Sequence, residues 1–244
     1  MNTKKISIII PTLNEEKLIT QTLKQFDCDI KKNFGLEVIV SDGGSTDSTL
    51  EIARNYADKV IVHNEKYKQN IARGRNQGAS VSDGDVLVFL NADTLINDVS
   101  SFFDEILYEM NRDHISAIAC PVKVFKNEEI KIDKLFHFLY NNYVRFLNKF
   151  VMGMGRGECH ILDRKAFKSI GGYNENCYAG EDFDLYKRLR KTGKVLFLKN
   201  RIIFESPRRY RKLGYRKVFW DWTRNSVWIT LFGKSISQNW DEIR

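Results

Sequence analysis

Proline is scarce in this chain, with three in 244 residues, and no stretch is low in complexity. That argues against a flexible linker or a disordered region. The four cysteines, Cys28, Cys120, Cys159 and Cys177, show no Cys-x-x-Cys spacing. Neither a zinc site nor a disulfide framework is indicated. His160 follows Cys159, but sequence neighbours rarely chelate one ion, and both are read as packing or lining residues. A long apolar run is missing as well. Met1 leads into polar residues and a short strand-like run, with nothing long enough for a signal peptide or a membrane span. The expectation is a chain made and kept in the cytosol.

What is present is a core-forming, basic chain. A hydrophobic content of 43% allows one domain, or one domain with an appendage. The net charge of +8 is concentrated between Lys187 and Lys217, where Glu205 is the single acid. Such a patch attracts polyanions, whether nucleic acid, anionic lipid headgroups or phosphorylated ligands. Many of these residues taken singly fit a merely solvated face.

The N-terminal half alternates two hydrophobic periods. Ile6–Ile10 reads as a strand broken by Pro11-Thr12-Leu13-Asn14, and a helix after Asn14, its N-cap, carries Leu18, Leu23 and Phe26. Leu36–Val40 is a second strand, followed by the turn Ser41–Ser45 and a helix from Thr46 or Asp47. A third strand covers 59–62, a helix 70–80 and a fourth strand 85–90. This succession implies a mostly parallel sheet with right-handed crossovers, flanked by helices. Ligands gather at the carboxyl edge of such sheets, where Thr12, Asp42 and Asp93 all fall.

Further on, the patterns predict a helix over 100–110, a strand over 115–125 and an aromatic-rich amphipathic helix over 132–150. A strand at 159–162, a helix at 182–191 closed by Gly193 as its C′ glycine, and a strand at 195–198 follow. Gly153-x-Gly155-x-Gly157 lacks the strand-before, helix-after context of a dinucleotide fingerprint and is read as a flexible floor ahead of Glu158. The stretch 213–232, next to Arg211, Lys212, Arg216 and Lys217, is too polar to span a bilayer but suits an amphipathic helix at an anionic membrane surface. Packing on the core or a dimer face are its other readings.

The apolar run Asp85–Leu90 ends in Asn91-Ala92-Asp93. An unpaired carboxylate inside an apolar strand costs several kcal/mol, roughly. Just past the strand end, it faces the ligand crevice and can hold a hard divalent cation beside a phosphate, or simply turn the chain. Four more strings stand in fixed order around it: Pro11–Glu15, Ser41–Asp47, Ala72–Gly78 and Gly180–Leu185.

Together these motifs resemble the family 2 glycosyltransferases of the GT-A (Rossmann-like) fold, over residues 5 to 205. The resemblance implies an inverting transfer of sugar from a nucleoside-diphosphate sugar, a UDP-sugar, to an acceptor hydroxyl or phosphate; the basic, aromatic tail, which suggests a membrane surface, points to a lipid-linked or cell-envelope glycan or a polyprenyl phosphate as that acceptor. It implies Mn²⁺ or Mg²⁺ at the strand-end motif, with Asp93 as principal carboxylate and Asn91 as a weaker, neutral ligand where the family commonly has Asp. Pro11, Thr12, Asn14 and Glu15 then border the nucleoside, and Asp42 accepts a hydrogen bond from the uracil ring. Arg73 or Arg75 stands near base and phosphate, with Asn76 adjoining, Ala92 within the metal motif, and Arg208 or Arg209 toward the leaving group. Asp182 is the general base that takes the acceptor proton. The expected organisation is a catalytic domain over 1–205, its nucleotide-sugar half 1–95 and its acceptor half 96–205, then a basic, aromatic helical tail over 206–244.

Plainer readings exist for each residue: Asn14 as an N-cap, Asp42-Gly43 as a tight turn, Arg73 and Arg75 as solvated helix charges, Asp182 as a helix cap. Nucleic acid is not an expected partner, because a basic binding module leaves Asp42, Asp93 and Asp182 without a reason to sit at strand and helix ends. A sugar-phosphate nucleotidyltransferase needs a glycine-rich loop after the first strand, which Pro11–Asn14 does not supply. The alternative from another class is a degenerate relative that binds at an anionic membrane surface without turnover.

Overall fold

Short β-branched runs and amphipathic helices alternate because each can bury an apolar face only against the other. The computed structural model describes residues 4–64 and 69–236. In chain order its first half holds β1 (Ile6–Thr12), α1 (Ile19–Leu23), α2 (Cys28–Phe34), β2 (Leu36–Asp42), α3 (Thr49–Tyr56), β3 (Lys59–Val62), α4 (Ile71–Ser80) and β4 (Val86–Leu90). Then come β5 (Thr94–Ile96), α5 (Val99–Met110), β6 (Ile115–Ala119), β7 (Val122–Val124), α6 (Lys131–Phe150), β8 (Cys159–Asp163) and α7 (Arg164–Ser169). The chain continues through α8 (Glu181–Leu189), β9 (Lys194–Phe197), β10 (Ile203–Glu205), α9 (Arg208–Leu213) and α10 (Tyr215–Phe232).

Seven strands form the main sheet in the order β3-β2-β1-β4-β8-β6-β9. β3, β2, β1 and β4 are mutually parallel, β8 runs antiparallel to both β4 and β6, and β9 is parallel to β6. The expected mostly parallel α/β sheet is therefore what the chain forms. Strands β1 and β4 lie at its centre and every residue of β4 is buried, which is why its sequence is continuously apolar rather than alternating. Two apolar layers sandwich the sheet. One, around Ile8, Val88, Phe102 and Phe103, lies under α1, α2, α3 and α5; the other, around Ile9, Phe89, Leu185 and Tyr186, lies under α4, α7 and α8.

Several local expectations are corrected. Asn14 is not a helix N-cap: it sits in the left-handed region (φ 54°), its Oδ1 accepts from Thr46 N at 2.8 Å, and α1 begins at Ile19. The strand expected over 115–125 is two strands, because Cys120-Pro121 interrupts it; β6 stays in the main sheet while β7 joins a second, three-stranded sheet, β5-β10-β7. A proline supplies no ladder N–H, so the chain changes sheet there. Gly193 is not a left-handed cap either. A Cβ there would stand 2.3 Å from Ser116 Oγ and 2.6 Å from the His114 carbonyl, so close packing before β9 demands the glycine. Among the described residues no helix is long and apolar enough to cross a membrane. Residues 237–244 of the expected tail lie outside the described residues.

Candidate active site

The carboxyl ends of β1, β2 and β4, the N-terminus of α8 and the segment after β10 enclose a cleft of about 440 Å³. β4 delivers Asn91-Ala92-Asp93 as the turn into β5, and Thr22 Oγ1 fixes that turn by donating to the Ala92 carbonyl at 2.7 Å. Asp93 lies against the cleft with Arg208 Nη2 3.0 Å from its Oδ2. Burial pushes its carboxyl up to about 6; Arg208 pulls the other way, and Glu15 and Glu158 add to the rise.

The residues fit a hard divalent cation in one respect and limit it in another. Asp93 presents a carboxylate oxygen at the cleft wall, the kind of ligand such a cation takes beside substrate phosphates. Asn91 Oδ1, however, accepts from Arg75 Nη2 at 3.0 Å. Among the described residues no three His, Cys, Asp or Glu side chains cluster as a ready-made metal cage. A cation there would rest on Asp93 and on oxygens brought by a ligand.

The first loop and the β2 turn are tied to each other. Asp42 Oδ1 accepts from Gly44 N at 2.9 Å and Ser45 N at 2.7 Å, while its Oδ2 accepts from Thr12 Oγ1 at 2.8 Å and Ser45 Oγ at 2.5 Å. Fully buried, Asp42 spends its lone pairs on the loop. Gly43, Pro11, Thr12 and Glu15 reach the cleft wall; Asp42 and Asn14 stand behind it. Glu15 is gripped by Arg208, whose two Nη atoms each lie 2.9 Å from one of its oxygens.

α4 contributes in two ways. Arg73 lines the cleft and pairs with Glu175 at 3.4 Å. Arg75 is no solvated helix charge: it is fully buried, donating to Glu181 Oε1 at 2.7 Å, Asn91 Oδ1 at 3.0 Å and the Gly157 carbonyl at 2.6 Å, with its guanidinium over the Tyr173 ring. One residue thereby couples the strand-end motif, the glycine run and the start of α8. Asn76 stays out of the cleft, its amide bonded to both backbone groups of Tyr173, which docks the loop after α7. Gly74 permits the approach of Gln69, whose Oε1 would stand 3.1 Å from a Cβ there.

Asp182 stands in the first turn of α8, lines the cleft, and accepts from Phe183 N at 2.8 Å. A helix N-terminus favours a carboxylate. Burial and then Glu181, with a further push from Glu158, overcome that preference and raise Asp182 to about 7. A carboxyl tuned this way can exchange a proton near neutral pH.

A buried polar cluster on the cleft floor, formed by Arg156, Glu158, Glu205 and Tyr210, was not expected as a group. Arg156 Nη2 lies 3.4 Å from Glu158 and 3.2 Å from Glu205, and Tyr210 donates to Glu205 at 2.8 Å. Burial and the adjacent Glu158 push Glu205 well above the carboxylate range. Burial also opposes charge on Glu158, but Arg156 and the proton of Glu205 outweigh it and hold Glu158 low. Glu158 Oε2 is buried without a hydrogen-bond partner and lines the cleft. An isolated glutamate carries no spacing signal, so only the fold reveals it. The glycine run is packed rather than a flexible floor: Cβ atoms at Gly153 and Gly155 would lie 2.1 Å from Tyr186 atoms, whereas one at Gly157 would meet Asp182 Oδ2 at 3.7 Å. His160, as read from the sequence, is a packed residue, fully buried with Nδ1 2.5 Å from Tyr173 Oη.

The open α/β sheet, with an acidic turn at the end of its central strand and a buried carboxyl at the facing helix start, has the GT-A fold. The chain belongs to glycosyl transferase family 2, whose description matches residues 7–171. A relative from Methanococcus voltae, dolichyl N-acetyl-alpha-D-glucosaminyl phosphate 3-beta-D-2,3-diacetamido-2,3-dideoxy-beta-D-glucuronosyltransferase, is 30% identical over 81% of this chain and 65% of its own. The mannosyltransferase PcManGT from Pyrobaculum calidifontis, solved with GDP-Man and Mn²⁺, superposes with a TM-score of 0.62 at 18% identity, covering 84% of this chain and 58% of its own. Glucosyl-3-phosphoglycerate synthase from Mycobacterium tuberculosis, solved with Mn²⁺, UDP and phosphoglyceric acid, gives 0.63 at 18% identity over 96% of this chain and 80% of its own. At that identity the likeness is one of fold. The chain spans between 20% and 65% of the length of the first curated relatives it matches.

Proposed function

We propose that this chain is an inverting glycosyltransferase that moves a sugar from a nucleoside-diphosphate sugar, a UDP-sugar, to an acceptor oxygen. The observation that carries the reading is Asp182: a carboxyl raised to about 7, standing in the same cleft as the strand-end Asp93. Residues 1–95 supply the donor side, with Pro11, Thr12 and Glu15 against the nucleoside and Arg73 at the phosphates. Asp42 and Asn14 act one layer back, holding the first loop in shape. Arg75 and Asn76 likewise position Asn91, Glu181 and the loop after α7. Residues 96–205 form the acceptor side, and the segment from 206 closes over the donor with Arg208.

In the proposed step the Asp182 carboxylate takes the proton of the acceptor hydroxyl as its oxygen bonds to the anomeric carbon. The anomeric carbon–oxygen bond to the diphosphate breaks, and its electron pair leaves with the nucleoside diphosphate. Attack from the face opposite the leaving group inverts the configuration. Mn²⁺ or Mg²⁺, bound through Asp93 and the diphosphate oxygens, would neutralise charge on the leaving group. Arg208, held beside Asp93, adds donors for the same charge. The acceptor we favour is a hydroxyl or phosphate of a lipid-linked or cell-envelope glycan.

The test is release of nucleoside diphosphate from UDP-, GDP- and dTDP-sugars by wild type and Asp182→Asn, with Mn²⁺ present and a mixed polyprenyl-phosphate and glycan acceptor panel. Release that depends on acceptor and is lost in the variant supports the proposal. Equal release by both proteins removes Asp182 from the chemistry, and binding of nucleotide without release from any donor makes the chain a non-catalytic relative.

A further inference from the structure

α6 is inside out. Its buried stripe includes Asp133, His137 and Asn148 beside Val144 and Leu147. Its exposed stripe is apolar: Leu135, Leu139, Tyr143, Phe146 and Phe150 recur every three or four residues, each at least half exposed. Asp133 and Asn148 have partners that explain them, and His137 has Nδ1 3.5 Å from Arg156 Nη1 while its Nε2 is buried without a hydrogen-bond partner. Asp133 takes the Arg211 guanidinium and the Tyr215 hydroxyl, and Asn148 exchanges hydrogen bonds with the backbone of Met154 at 2.6 and 2.9 Å. Among the described residues nothing covers the outward face. Isolated exposed apolar residues are ordinary, but a stripe along a helix of 20 residues is not.

α10 lies against α6 and, although it buries Val218 and Ile229, it too leaves apolar side chains outward. Phe136 and Tyr140 of α6 pack at a tilt against Tyr215 and Trp222, with ring centroids 4.7 and 5.3 Å apart. The outward side of α10 carries Trp220, Val227 and Leu231, exposed at 62, 53 and 67%. Basic residues outnumber acids on both helices. Lys134, Arg145 and Lys149 are exposed along α6, whose single acid is the buried Asp133, and Arg216 and Arg224 are exposed on α10, whose single acid, Asp221, pairs with Lys217.

From this pattern we infer that the outward faces of α6 and α10 form one platform that seats on an anionic lipid surface. Apolar side chains with aromatic members enter the headgroup boundary, and the lysines and arginines meet the phosphates. A partner protein would need an acidic rim to match; a bilayer of anionic lipid supplies that complement along both helices. The surface lies beside the cleft, because Tyr140 of α6 and Trp222 and Ser226 of α10 form part of the cleft wall. Read with the proposed transfer, on which this clause alone rests, the platform brings the acceptor side to a lipid-borne substrate.

The experiment is co-sedimentation of the full chain with vesicles of phosphatidylcholine, with and without 30% phosphatidylglycerol (roughly the anionic content that gives a cytoplasmic-type surface potential). The expected result is binding to the anionic vesicles that weakens with added salt. Leu139→Glu/Phe146→Glu should weaken it by about tenfold or more, and Arg145→Gln/Lys149→Gln by about thirtyfold, with melting temperatures close to wild type. The second pair touches only exposed charge, so it reads out even if the first pair fails to fold. Protein left in solution with anionic vesicles overturns the inference. So does a stable dimer of the 28.5 kDa chain that the Leu139/Phe146 variant splits, since a second copy then covers the face. Neither outcome bears on the transfer reading, which needs no vesicle for its own test.

Discussion

Arg208 reaches across 193 residues of sequence to hold Glu15 by both oxygens, and its Nη2 lies 3.0 Å from Asp93 as well. A residue after the last strand thus fastens the first loop to the strand-end carboxylate. Replacing Arg208 by Ala should raise the donor KM and lower kcat by roughly 10²-fold, the usual scale for removing a charge-stabilising donor. Substituting Lys should recover only part, because an ammonium cannot bond both Glu15 oxygens in one plane. Steady-state kinetics of the two variants check this.

The pH profile follows from Asp182. Its pKa of about 7 means the base is unprotonated above that value, so kcat should climb with pH through about 7 and level off above it. Asp182→Asn should lose about 10² to 10⁴-fold in rate while keeping nucleotide affinity. The stability sign is opposite. The folded chain holds this proton more tightly than the unfolded chain does, so the stabilisation is complete at low pH and fades as pH rises through about 7. At pH 8 the Asn variant should melt higher than wild type, by about 2–4 °C for each kcal/mol of relieved charge burial.

Arg75 should prove structural before it proves chemical. Arg75→Met removes one partner of a buried ion pair and strands Glu181, a change that costs about 3–5 kcal/mol. Denaturant titration should show the loss in midpoint. Arg75→Lys should be nearly as damaging, since three separate acceptors at 2.6 to 3.0 Å need the guanidinium fork.

The glycine run gives a graded test of packing. Gly155→Ala places a methyl within 2.1 Å of the buried Tyr186 ring and should destabilise by about 1–3 kcal/mol or more, whereas Gly157→Ala, with 3.7 Å to Asp182, should fold normally. Melting temperatures of the pair decide it.

How far the sequence carries depends on the length of the signal. The strands β1 to β4 and the helices α3 and α4 were legible because each shows a hydrophobic run or period, and α4 starts where the expected helix over 70–80 placed it, with Asn70 Oδ1 accepting from Arg73 N; α1 starts at Ile19 rather than after Asn14, and the short α2, with no fully buried residue, gave no period to read. The three-residue strands β5 and β10 are too short for any period, so the small sheet that carries Glu205 was invisible. Pro121 was the overlooked sign that 115–125 could not be one ladder. In the cleft, the motif order pointed to Asp93 and Asp182. The burial of Arg75 ran against the strong preference of arginine for the surface, and the Glu158–Glu205 pair arises from residues 47 apart with no motif between them. Asp42 shows the converse: the motif was legible, but its hydrogen bonds close within the loop.

The central claim is that Asp93 is where metal and nucleotide meet. Thermal shift of wild type and Asp93→Ala with UDP, GDP, dTDP and CDP, each with and without Mn²⁺, tests it most directly. A ligand that binds only the folded chain stabilises it by about 2.7 kcal/mol at a hundredfold excess over its Kd. The account predicts a Mn²⁺-dependent rise with UDP in wild type that vanishes in Asp93→Ala. A rise that is the same in both proteins, or none in wild type with any nucleotide, would contradict it.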